Sequence, residues 1–126
     1  MSRGIDVDLH LRPGIEDEEF VASALANLAA WRLAGQRGER LDWQVLRVDG
    51  SRDHHFRLVV RHPQRLLDLG ARSDLARILD ELSAEELPDL RRRLSIAKSE
   101  GLRAVPLRRV REDVDFWRDD FWNWIG

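Results

Sequence analysis

LDWQVLRVDGSRDHHFRLVVRH (residues 41–62) reads as two strands joined by a turn. Asp49-Gly50 followed by Ser51, Arg52 and Asp53 is a hairpin turn signal between two β-rich runs. On the first strand Leu41, Trp43 and Val45 alternate, and then Leu46 and Val48 take over. That change of phase predicts a bulge or a strand end buried on both sides. On the second strand Phe56, Leu58 and Val60 share one face, and His55, Arg57, Val59 and Arg61 share the other.

Outward from the hairpin, residues 5–11 (IDVDLHL) repeat the period of two. Ile5, Val7, Leu9 and Leu11 alternate with Asp6, Asp8 and His10, which predicts a half-buried strand ended by Pro13-Gly14. Residues 15–34 predict a helix. Glu16, Asp17, Glu18 and Glu19 crowd its first turn, where the helix dipole favours negative charge, and Phe20, Val21, Ala24, Leu25, Leu28 and Trp31 recur at helical spacing. Gly35 and Gly38 are expected in the exit loop.

After the hairpin, Pro63 is suited to start a short helix that Gly70 ends, and Ser73 to cap another carrying Leu75, Ile78, Leu79 and Leu82. Ser83 and Glu86 match a capping box, but Pro88 would delete a backbone bond in a helix started there. The break is therefore placed near Leu87, with a helix over 88–100 stopped by Gly101. Residues 102–110 predict an edge strand, since Pro106 bars a central one. Val110, Val114, Trp117, Phe121 and Trp124 predict a C-terminal helix.

The chain thus reads as one α+β domain over residues 1–126. The order β-α-β-β-α-β predicts a ferredoxin-like antiparallel sheet with helices on one face and an added C-terminal aromatic helix. The expected core is Val7, Leu9, Leu25, Leu28, Phe56, Leu58, Val60, Leu79 and Leu94.

Composition narrows the chemistry. With 43% hydrophobic and 35% charged residues the chain is globular, and no apolar run is long enough to span a membrane. The start has no signal-peptide pattern, so a cytoplasmic location is expected. Absence of cysteine removes disulfides and thiol chemistry, and absence of tyrosine removes tyrosine nucleophiles. A net charge of -2 favours neither nucleic acid nor membrane. Every basic residue except Lys98 is arginine, which reads as a compositional bias or as recognition of phosphate and carboxylate.

Four groups of residues can carry function. Asp6, Asp8 and His10 point the same way from the first strand. On ferredoxin-like sheets of polymerase palms and small nucleases, carboxylates so placed hold Mg²⁺, so a metal-dependent phosphodiesterase or nuclease is the alternative reading. The plainer reading is a solvated strand face. His10, His55 and His62 can converge on Asp6 or Asp8 if the first and third strands are neighbours. Arg91, Arg92 and Arg93, then Arg103, Arg108, Arg109 and Arg111, with Arg47, Arg57 and Arg61 on the open sheet face, admit an RNA-binding reading. No aromatic residues accompany them there for base stacking, so nucleic acid is not favoured.

The fourth group leads. The chain has five Trp and four Phe, and Phe116, Trp117, Phe121, Trp122 and Trp124 crowd its end among Asp119 and Asp120. An acidic, Trp-rich surface suits a basic protein partner. Trp122 lies off the Val114-Trp117-Phe121 line and is expected to be exposed. The leading expectation is a small protein-binding module, such as an inhibitor, immunity protein, antitoxin or complex subunit, acting without cofactor or metal through Phe116, Trp117, Asp119, Asp120, Trp122 and Trp124.

Overall fold

The hairpin and the first strand form as their alternation predicts. In the computed structural model, which describes residues 4–11, 14–49, 55–111 and 117–122, strands β1 (Ile5–His10), β2 (Asp42–Asp49), β3 (His55–Arg61) and β4 (Leu107–Arg111) make one mixed sheet in the order β1-β3-β2-β4. The Asp-Gly turn at 50–54 lies outside the described residues. β3 pairs antiparallel with both β1 and β2, placing Val7 opposite Leu58 and Val45 opposite Leu58 on its other side. Three helices follow: α1 (Glu18–Arg37), α2 (Leu69–Ser83) and α3 (Leu87–Ser99).

The sheet is not the antiparallel ferredoxin-like one. That plan would seat β4 beside β1, whereas β4 lies at the far edge and runs parallel to β2, with Val45 opposite Leu107 and Val48 opposite Val110. α2 and α3 both lie between β3 and β4, and β4 runs against β3 and along β2.

Helix boundaries follow local chemistry more closely than the sequence reading did. α1 runs through Gly35 and stops at Gly38, whose φ of 62° is a left-handed cap. Residues 62–68 form no helix. α2 is capped by Asp68, whose carboxylate accepts from the Ala71 N–H at 2.8 Å, so Gly70 sits in the first turn and Ser73 caps nothing. Ser83 ends α2 and donates from Oγ to the Leu79 carbonyl instead of opening a capping box. Pro88 falls in the first turn of α3, and Gly101 follows it with a φ of 115°.

The core between sheet and helices contains every residue expected in it except Val7. Val7 is half-buried and packs against the cluster, because β1 is an edge strand. α1 is buried almost all round from Val21 to Ala30, and not along a single stripe. Its alanines at 22, 24, 26, 29 and 30 present small surfaces, and α1 touches α2, α3 and the sheet.

β2 is buried on both sides. Its register against β3 runs unbroken from Asp42 to Arg47, so no bulge explains the change of phase. Leu46 and Val48 face away from the helices and join Val59, Val110, Phe121 and Trp122 in a second, smaller core. The C-terminal segment supplies its cover. Of the expected aromatic helix, the described residues show one helical turn, Asp119–Trp122.

Candidate functional site

β1 and β3 are neighbours, and of the expected histidine and aspartate groups this brings His55 onto Asp8. His10 lies opposite His55, and Asp8 opposite Arg57. Asp8 Oδ1 accepts from His55 Nε2 at 2.9 Å and from Arg57 Nε at 2.9 Å, and Asp6 Oδ2 lies 3.7 Å from Arg57 Nε. His62 is elsewhere, its Nδ1 accepting from the Gln64 N–H. Burial works to raise the Asp8 pKa, but the hydrogen bonds and charges of His55 and Arg57 outweigh it, so the carboxyl sits below its ordinary value.

Two expectations follow from this arrangement. A group with a depressed folded pKa stabilises the fold above its unfolded pKa, about 3.9, and that contribution fades as the pH falls through the lower folded value. With Asp8 40% exposed the pair is well screened and contributes less than about 1 kcal/mol. Asp8→Asn is expected to be slightly less stable than wild type at pH 7, with the gap narrowing as the pH falls below about 3.9, as read from urea midpoints; a gap that stays constant into acid contradicts the pairing. The second concerns metal. Arg57 sits where a cation bridging Asp6 and Asp8 would, and among the described residues no three His, Asp or Glu gather at ligating distance. Added Mn²⁺ or Zn²⁺ is expected to leave the melting temperature unchanged. A clear rise that Asp8→Ala removes would revive the nuclease reading.

Among the described C-terminal aromatics, Trp122 is not the exposed ring expected of it. Trp122 is 6% exposed and Phe121 5%, and Trp117 is half-buried against the same cluster. Arg61 lies over the Trp122 ring at 4.4 Å and Arg108 over Phe121 at 4.5 Å, both from the sheet. The error was to take the helices' side as the only apolar side of the sheet; Leu46, Val48, Val59 and Val110 needed cover on the other. Phe116 and Trp124, and the side chains of Asp119 and Asp120, lie outside the described residues.

The basic clusters are largely paired within the chain. Arg91 meets Asp17, Arg92 meets Asp89, and Arg93 meets Glu85. The Arg93 guanidinium holds the Glu85 carboxyl below its usual range. Arg109 bridges Glu19 and Asp49. Arg47 is not on the open face. It is in phase with Trp43 and Val45 on the helix side, over the Phe56 ring and bonded to Glu18 and Glu19. No continuous arginine stripe forms from these residues.

Two surfaces were missed by the sequence reading. The first is a groove of about 950 Å³ between α1 and α3, floored by Leu28, Trp31, Ala34 and Ala97. Its rim residues Arg32 and Arg93 are tied to Glu81 and Glu85. The second is the outer edge of β1. Among the described residues no strand covers it, and a cavity of about 740 Å³ opens there between Gly4, Ile5 and Asp6 on one side and Leu67, Leu69 and Arg72 on the other. Leu69 is 80% exposed and Leu66 62%. The signal for it was the run Arg65-Leu66-Leu67-Asp68-Leu69, with more leucines than one helix turn or one core contact can bury. Assigning those residues to a helix concealed it.

No protein-family model and no curated protein matches the chain. No helix among the described residues is long and apolar enough to cross a membrane.

Proposed function

We propose that the protein is a small non-enzymatic module that binds another protein, in the manner of an inhibitor, immunity protein, antitoxin or complex subunit. One observation carries the reading: Leu69 stands exposed at the cavity beside the β1 edge, which no strand covers among the described residues, and Leu66, three residues before it, is exposed too. Large exposed apolar side chains next to unpaired strand backbone invite association. The contact surface is placed here and not at Trp122, whose ring lies inside the second core.

The test is affinity capture from the native cell with wild type and the double variant Leu66→Ser/Leu69→Ser. Both side chains are exposed, so the variant is expected to melt close to wild type. The proposal expects a discrete protein held by wild type and reduced at least about tenfold on the variant, the scale of one hot-spot contact. Equal capture by both, or none by either, overturns it.

A further inference from the structure

We infer that the partner binds by strand addition: an extended, basic segment lies along the outer edge of β1, beneath α2. This rests on the protein-binding reading above and names the kind of partner.

The geometry of the edge suits one added strand. β1 has six residues and α2 fifteen, lengths of roughly 20 Å and 22 Å at the usual rise per residue. They run side by side. The cavity at Gly4, Ile5 and Asp6 meets the start of α2 at Leu69 and Arg72, and a second cavity of about 450 Å³ joins His10 and Leu11 to its end at Leu82 and Ser83. The edge is also regular. The register of β1 against β3 is unbroken over all six residues, with no bulge and no proline.

Charge selects the occupant. Asp6 and Asp8 share the face away from the helices, are 35% and 40% exposed, and share Arg57. With Asp68 and Arg72 lining the cavity at Asp6, three carboxylates stand against two guanidinium groups, which leaves the edge net negative. An added strand with Lys or Arg at alternate positions places cations opposite them, and its intervening apolar residues face the Leu69 side. A second copy of the chain fits badly. Two antiparallel β1 strands related by a twofold axis keep like faces together. Registers pairing five residues then set Asp6 opposite the partner's Asp8, or Asp8 opposite its own copy, and like charges directly opposed are destabilising.

The probe is an acetylated hexapeptide of alternating Lys and Val, titrated to millimolar concentration into ¹⁵N-labelled protein. Its Glu–Val counterpart and the two Lys–Val forms N-methylated at alternate amides serve as comparisons. The expected result is shifts of the amides of residues 5–10 and of the first turn of α2. The Kd should be at least about tenfold lower than for Glu–Val, with a tenfold loss on Asp8→Asn and in one of the two N-methylated forms. Overturning results are no shift in β1 at millimolar peptide, equal response to Glu–Val, binding unaffected by either N-methylation, or self-association of the free protein through β1. The two proposals separate cleanly. Capture that depends on Leu66 and Leu69 without any β1 response leaves the protein-binding reading standing and removes strand addition. A β1 response with capture indifferent to the leucines does the reverse.

Discussion

Trp122→Ala is expected to destabilise the fold by roughly 3–5 kcal/mol, the range for removing a large buried ring. Trp122 packs with Leu46, Val48, Val59, Val110 and Phe121, and its ring contacts Phe121 edge-on at a centroid distance of 5.9 Å. Truncation opens a cavity over β2 and takes away the surface on which the Arg61 guanidinium lies. For a chain of this length each kcal/mol moves the melting midpoint by about 3–5 °C, so a drop on the order of 10 °C is expected. Trp122→Phe separates the causes. Among the described residues the indole N–H has no hydrogen-bond partner, so losing it costs no pairing there, while a six-membered ring stays in place for Arg61. Trp122→Phe is therefore expected to fall well short of the alanine variant. An unchanged melting curve for Trp122→Ala would mean that the C-terminal segment does not cover the sheet in solution.

Asn27→Leu is expected to cost about 3 kcal/mol or more, although it keeps the branched side-chain shape. Asn27 is 1% exposed in the middle of α1. Its Oδ1 accepts from Trp43 Nε1 at 2.9 Å and from the Val105 N–H at 2.8 Å. Its Nδ2 donates to the carbonyls of Ser23 at 2.9 Å and Val105 at 3.1 Å. One side chain thus joins α1 to β2 and to the segment that leads into β4. Leucine leaves the Trp43 and Val105 donors and the Val105 acceptor without partners, and each unsatisfied buried group costs about 1–3 kcal/mol. Hydrogen exchange at β4 amides should accelerate more than at β1, since the tie to Val105 is what holds the β4 approach. A leucine variant as stable as wild type would show that water replaces these bonds.

Asn27 was open to notice in the sequence, being the one polar residue in the apolar run from Ala24 to Ala30. Its role was not, because its partner Val105 lies 78 residues away. The aspartate–histidine cluster divides in the same way. Alternation put Asp6, Asp8 and His10 on one face of β1. Only the β1–β3 register put Arg57 between the two carboxylates and so turned a candidate metal site into an ion pair.

What the sequence determined by itself is local. Period two at 5–11 and at 55–61, helical spacing in α1 and α2, and the prolines at 88 and 106 are settled within a few residues of chain, where sterics and backbone hydrogen bonding act. The tertiary structure alone decided the rest. It set β4 beside β2 in parallel, with Asn27 of α1 holding Val105 on the approach to it. It buried Trp122, because the second face of β2 and β4 was apolar and needed cover. It left Leu66 and Leu69 outside, because Asp68 caps α2 and keeps 62–68 out of a helix. Each of these depends on which distant surfaces compete for the same apolar area, and that competition is resolved only when the whole chain packs.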